Sequence, residues 1–164
     1  MAHLPDFRWG WILSFKWLQR LLLLLSCFSC GSLFAMDLKV VVNIQNTSEF
    51  TPSQIAQLYL RKTDQFSDGY RVNLYHLPRN SADHQQFCRQ LMNLTASQYQ
   101  SYWSRLLFTG NVDAMVHLQA DQLIAQIARD PLAIGYLPQN TPTEGLRVIA
   151  LIKPEQIEIL AKER

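Results

Sequence analysis

A stretch near the middle of the chain has the residue types of an oxyanion-binding site. The apolar and polar alternation of Tyr70–Leu77 predicts a strand, and Ser81 stands where it would cap a following helix. A helix start offers free backbone N–H groups and the positive end of the helix dipole, which attract an anion. The Arg79 guanidinium and the Ser81 hydroxyl would add donors. The candidate anion-binding residues are those of the turn: Arg79, Asn80, Ser81, Ala82 and Asp83.

A simpler interpretation of the same turn needs no ligand. Ser81 is a preferred residue type at the first cap of a helix, and capping alone accounts for its position. On spacing alone this interpretation is favoured, so an anion site needs support from elsewhere in the chain.

Other kinds of chemistry find little support in the residue pattern. The histidines after residue 35 are His76, His84 and His117, and their spacing matches no metal motif. We therefore treat them as unrelated residues and predict neither a metal site nor a cofactor. The sequence has no Gly-x-Ser-x-Gly motif and no nucleophile with a recognisable base, so we expect no enzyme. A single adjacent basic pair, Arg61-Lys62, argues against nucleic-acid binding.

Two other residue types that often occur in active sites are predicted to be core residues here. Cys88 lies beside Phe87 on a predicted helix. No base is nearby in sequence, which indicates a buried packing cysteine. Trp103 recurs at helical spacing with Tyr99 and Leu107, which is typical of an apolar helix face.

Strand and helix signals alternate along the chain and predict an α/β fold around a mixed sheet. We predict the element order β-α-β-α-α-α-β-β-α. The predicted strands are Leu38–Ile44, Tyr70–Leu77, Ala133–Leu137 and Arg147–Ile152. The predicted helices begin at Pro52, after Ser81 and after Thr95, and cover Ala120–Arg129 and Pro154–Lys162.

The charge of the chain is unevenly distributed. The chain has 15 Lys and Arg against 13 Asp and Glu, a net charge of +2, and the whole excess lies in residues 1–35. Basic residues ending at Arg20 precede an apolar stretch, Leu21–Ala35, that is rich in small residues. This pattern predicts a secretory signal peptide over residues 1–35, cleaved after Ala35. A single domain, residues 36–164, would then be periplasmic or secreted.

Two alternatives to a cleaved signal peptide remain open. Leu24-Leu25-Ser26-Cys27 resembles a bacterial lipobox, which would attach the protein to lipid through Cys27. An uncleaved anchor is the other alternative, with Trp9, Trp11 and Trp17 at a membrane interface. Lys16 and Arg20 interrupt the apolar run that such an anchor requires.

Five segments, taken in order, resemble the phosphate-binding periplasmic proteins of ABC transporters. The resemblance covers about residues 38–152 and is greatest to the second lobe of their two-lobed, type II periplasmic-binding-protein fold. It implies a single α/β lobe with a mixed, mostly parallel sheet flanked by helices. It also implies phosphate as the ligand and a membrane transporter or sensor as the partner. The segments are Val40–Asn43, Ser53–Lys62, Ser67–Phe87, Tyr102–Gly110 and Asp130–Pro138.

The chain departs from that family at the implied phosphate site. The family has Ser-Gly-Thr at the helix start, whereas this chain has Ser81-Ala82-Asp83, and Arg79 falls near a family Asp. An ionised Asp83 would repel phosphate or occupy the anion site itself. Gly135 matches the pattern of that family, and we expect it to allow close backbone packing in a short strand. Residues 36–164 are also too few to form a first lobe in addition to the lobe that they resemble.

Two functions are consistent with this resemblance and its departures. The first is a secreted or periplasmic single-lobe protein, resembling solute-binding proteins, that binds phosphate or another small oxyanion for transport or sensing. The alternative is a protein-interaction or regulatory module that kept the lobe and lost anion binding. In the second case, we expect the face that would meet a first lobe to be partly apolar.

Overall fold

A single mixed sheet organises the part of the chain that the structure describes. The structure is a computed structural model, and it describes residues 37–66, 69–110 and 112–153. The predicted signal peptide, its two alternatives and the predicted helix Pro154–Lys162 lie outside the described residues. The described elements are β1 Leu38–Asn43, α1 Pro52–Tyr59, β2 Asn73–His76, α2 Ala82–Met92, α3 Ala96–Phe108, β3 Val116–His117, α4 Ala120–Arg129, β4 Ala133–Pro138 and β5 Leu146–Ile152.

The strands lie in the order β3-β2-β4-β1-β5. Strand β2 runs parallel to both β3 and β4, and β1 runs antiparallel to both β4 and β5. The predicted α/β class and mixed sheet are confirmed. The parallel strands β3, β2 and β4 place their carboxyl ends at one edge of the sheet, which is where α/β folds form their ligand sites.

Strand β1 is buried along its whole length because it lies between two other strands. All six of its residues are buried, as its β-branched run predicts. The Asn43 amide at its end donates hydrogen bonds to the carbonyl oxygens of Ile127 and Ala128, each at 2.9 Å. These bonds satisfy carbonyl groups in the last turn of α4 and join that helix to the sheet.

Each of the three predicted N-caps is present. Thr51 and Thr95 form reciprocal capping boxes with Gln54 and Gln98, and Ser81 accepts a hydrogen bond from the backbone of the third helical residue. Helix α4 begins and ends at the predicted residues. Local side-chain chemistry therefore determines where α1, α2 and α3 begin.

Three predictions about the elements are wrong. Strand β2 is four residues long rather than eight, and Arg71 pairs only in an isolated bridge with Gln65. Strand β3 was not predicted, because two residues are too few to show periodicity. Leu107 is 48% exposed rather than inward-facing, since the buried residues of α3 are Tyr99 and Trp103.

Gly135 is where β4 passes directly beneath α4. A Cβ atom at this position would lie 2.8 Å from both Ile127 Cδ1 and Leu123 Cδ2, closer than such atoms can approach. The predicted close packing at this glycine is confirmed.

We expect Gly135→Ala to lower the free energy of unfolding by about 1–3 kcal/mol, because the added methyl group must displace packed side chains of α4. Urea denaturation measures this change. Gly145→Asn is the matched control, since Gly145 has φ +78° but open space around it and Asn tolerates this conformation. An effect at Gly135 no larger than that at Gly145 would contradict the described packing of α4 on β4.

Candidate functional site

The predicted anion site is the connection between the carboxyl end of β2 and the start of α2. Ser81 has an extended backbone (φ −72°, ψ 147°), and its Oγ accepts a hydrogen bond from the His84 backbone N–H at 3.1 Å. The capping interpretation of Ser81 is therefore correct. Capping uses an acceptor of the hydroxyl and leaves its proton available to donate to a ligand.

A groove of about 530 Å³ adjoins this turn and runs between α2, where it reaches Arg89 in the last turn, and the N-terminal part of α3. Two arginines line it, Arg79 from the turn and Arg89 from α2, together with neutral polar side chains. The described lining contains no acidic residue. The lining residues are Arg79, Asn80, Gln85, Arg89, Thr95, Ala96, Ser97, Gln100 and Ser101.

The structure separates the five predicted site residues into two groups. Arg79 and Asn80 line the groove, whereas Ser81, Ala82 and Asp83 are not among the described residues that line it. Asp83 lies in the first turn of α2, where a carboxylate stabilises the helix dipole. Its carboxyl is partly buried, and this burial raises its pKa.

Arg79 also borders a second groove of about 160 Å³. Trp103, Leu107 and Met115 form part of its wall, together with polar residues and the acidic Asp113. Arg79 and Gln100 line both grooves, so the Arg79 side chain lies where the two grooves meet.

A cluster of three histidines lies close to the turn, with His76 and His84 buried and His117 partly buried. The ring centroids are 5.4 Å apart for His76 and His117, 5.5 Å for His84 and His117, and 6.2 Å for His76 and His84. The prediction that these histidines are unrelated is wrong. Parallel pairing of β2 with β3 places His76 opposite His117. The sequence analysis did not predict strand β3, so it could not predict this pairing.

Tyrosine hydroxyl groups hold two of these rings in place. His76 Nε2 lies 3.0 Å from the Tyr99 hydroxyl, and His84 Nδ1 lies 2.6 Å from the Tyr136 hydroxyl. The Tyr136 hydroxyl also accepts a hydrogen bond from the Leu77 N–H at 3.3 Å. Tyr136 therefore contacts Leu77, the first residue of the turn, and His84, the residue of α2 whose backbone N–H is capped by Ser81.

Cys88 is a packing residue, as predicted. It is buried, and its Sγ lies 3.7 Å from His84 Nε2. Burial raises the pKa of the thiol to about 12, which makes the reactive thiolate scarce at neutral pH. Within residues 37–153, apart from the undescribed positions, no group of three or more His, Cys, Asp and Glu residues is arranged to hold a metal ion.

The fold of this chain resembles one lobe of phosphate receptors of ABC transporters. No protein-family model matches the chain, and no curated protein matches it. A phosphate transport receptor from Vibrio cholerae gives a TM-score of 0.54 at 12% identity, covering 75% of this chain and 51% of the receptor. A protein from Clostridium perfringens described as a phosphate ABC transporter substrate-binding protein, with bound phosphate, gives 0.55 at 13% identity, covering 77% and 52%.

A third solved structure, PstS from Borrelia burgdorferi, gives a TM-score of 0.51 at 11% identity and covers 70% of this chain and 47% of that protein. The chain thus spans about half the length of the solved receptors that it matches. The predicted resemblance, a single lobe of this fold, is confirmed.

No helix in the described part of the chain has the length and apolar character to cross a membrane.

Burial keeps the central histidines neutral. Desolvation, together with the neighbouring His117, lowers the pKa of His84 to about 4 and holds that of His76 well below its usual range. In the unfolded chain both rings would titrate near pH 6.5. The unfolded state therefore binds more protons than the native state below that pH.

We expect the free energy of unfolding to fall as the pH decreases from about 6.5 towards 4. Each buried histidine contributes up to about 1.4 kcal/mol per pH unit over its part of this range. Urea denaturation at a series of pH values measures the slope. The variant His84→Gln, which keeps an acceptor for Tyr136, should show a shallower slope. Equal slopes for the two proteins would show that His84 is not buried in its neutral form.

Proposed function

We propose that this protein binds phosphate or another small oxyanion at the turn between β2 and α2. Arg79 and Asn80, which line the groove, supply the donors, and the Ser81 hydroxyl and the start of α2 adjoin them at the same turn. The observation that carries the proposal is the basic groove beside this turn, in a chain whose fold resembles receptors for phosphate.

Local charge rather than net charge must attract the ligand. Residues 36–164 contain equal numbers of acidic and basic residues, so the predicted mature domain has no global field that favours anions. The described ion pairs involve Arg71 and Arg147, and none of them involves Arg79. The Arg79 guanidinium therefore keeps its charge available at the groove.

Asp83 does not prevent this binding. Its carboxyl is absent from the described lining of the groove, so an anion beside Arg79 and Asn80 approaches from a different side.

We further propose that the protein is a periplasmic or secreted binding protein, not an enzyme, and that it works with a membrane transporter or sensor. The support is the resemblance to transport receptors and the predicted signal peptide over residues 1–35. Intact-mass measurement of the protein from its native compartment distinguishes cleavage after Ala35 from lipid attachment at Cys27 and from an uncleaved anchor.

We expect Arg79→Ala to weaken phosphate binding about tenfold or more, because a hydrogen bond to a charged partner contributes about 1.5–3 kcal/mol. Isothermal titration calorimetry at fixed ionic strength measures the dissociation constant. Arg105→Ala is the matched control, since Arg105 is exposed on α3, carries the same charge and lines neither groove.

Two results would overturn this proposal. The first is the absence of binding heat with phosphate for the unmodified protein, in which case a module that has lost its ligand becomes the better account. The second is an equal loss of affinity in the Arg79 and Arg105 variants, which would indicate general attraction to a positive surface.

A further inference from the structure

The groove beside the turn is larger than a single phosphate ion requires. Its volume of about 530 Å³ falls within the range of about 300–1,000 Å³ that is typical of sites for small organic ligands. One water molecule accounts for about 30 Å³ of liquid, so an ion of five non-hydrogen atoms fills a minor part of this groove. A phosphate at Arg79 and Asn80 would leave the rest of the groove to solvent.

A second positive charge lies further along the same groove. Arg89 is seven residues after Ala82 on α2, which is about 10 Å along a helix axis. Its Nε donates to the Gln85 carbonyl oxygen at 3.3 Å, which orients the guanidinium, and no described ion pair involves Arg89. The groove thus presents one arginine near the turn and another at a distance from it.

The neutral residues of the groove suit a compact anion and not an aromatic ligand. Side chains able to donate hydrogen bonds line the space between the arginines, and the described lining includes no aromatic residue on which a nucleobase could stack. Because no acidic residue is among the described residues of that lining, none repels a second anionic group from within the groove. The donor residues are Asn80, Gln85, Thr95, Ser97 and Gln100, whereas the Ser101 hydroxyl already donates to the Ser97 carbonyl oxygen.

We propose that the groove binds a ligand with more than one anionic group in a row, that is, a linear oligophosphate. One phosphoryl group occupies the position beside Arg79 and Asn80, and a later group contacts Arg89. The inference rests on the proposed anion site for the first of these groups. It goes beyond that proposal in the size and charge of the ligand and in the role of Arg89 as the residue that selects the longer anion.

Calorimetric titration of the full chain with orthophosphate, pyrophosphate and tripolyphosphate tests this inference. All titrations use one pH, one ionic strength and a buffer without divalent cations. We expect tripolyphosphate to bind at least about tenfold more tightly than orthophosphate, since it gains a second charged contact. Arg89→Ala should weaken tripolyphosphate binding about tenfold and orthophosphate binding much less, and Arg105→Ala should weaken neither.

The outcomes separate this inference from the proposed function. If orthophosphate binds and the longer anions bind no more tightly, the oligophosphate inference is wrong and the proposed function stands. The same conclusion follows if Arg89→Ala weakens both anions equally. If no anion binds, both proposals fail. If Arg105→Ala weakens tripolyphosphate as much as Arg89→Ala does, general surface charge explains the binding and the inference is overturned.

Discussion

The hydroxyl group of Tyr136 connects the sheet to the turn on which the candidate site depends. It lies 2.6 Å from His84 Nδ1 and accepts from the Leu77 N–H, and its ring stacks on Phe87 of α2 at a centroid distance of 3.6 Å. Leu77 at the start of the turn and His84 in the first turn of α2 therefore both contact one residue of β4. Because a buried network of this kind tolerates few arrangements, it restrains the backbone of the turn that carries the exposed Arg79.

The charges around the turn are divided between an uncharged interior and a basic exterior. Burial keeps His76 and His84 neutral, so at neutral pH these two rings add no positive charge to the site. The ability to attract an anion then belongs to the arginines of the groove, which remain charged at any physiological pH. In a domain with balanced charge, the proposed anion site relies on this local arrangement to select an anion over a cation.

The elements that depend on local signals, and the α/β fold class, could be predicted from the sequence. Thr51, Ser81 and Thr95 cap the predicted helices, and the apolar run of β1 and the position of Gly135 are as expected. Features that depend on packing between distant segments could not be predicted. The histidine cluster requires the two-residue strand β3, and the groove requires α2 and α3 to lie side by side. Neither arrangement has a periodic pattern in the sequence.

The central claim is that the turn after β2 is the anion site, and a crystal structure grown in phosphate buffer tests it most directly. The account predicts an anion that contacts the Arg79 guanidinium together with Asn80 or the Ser81 hydroxyl, at distances of about 2.7–3.1 Å. Well-ordered density that shows only water at this turn, or an anion bound solely at another surface, would contradict the account.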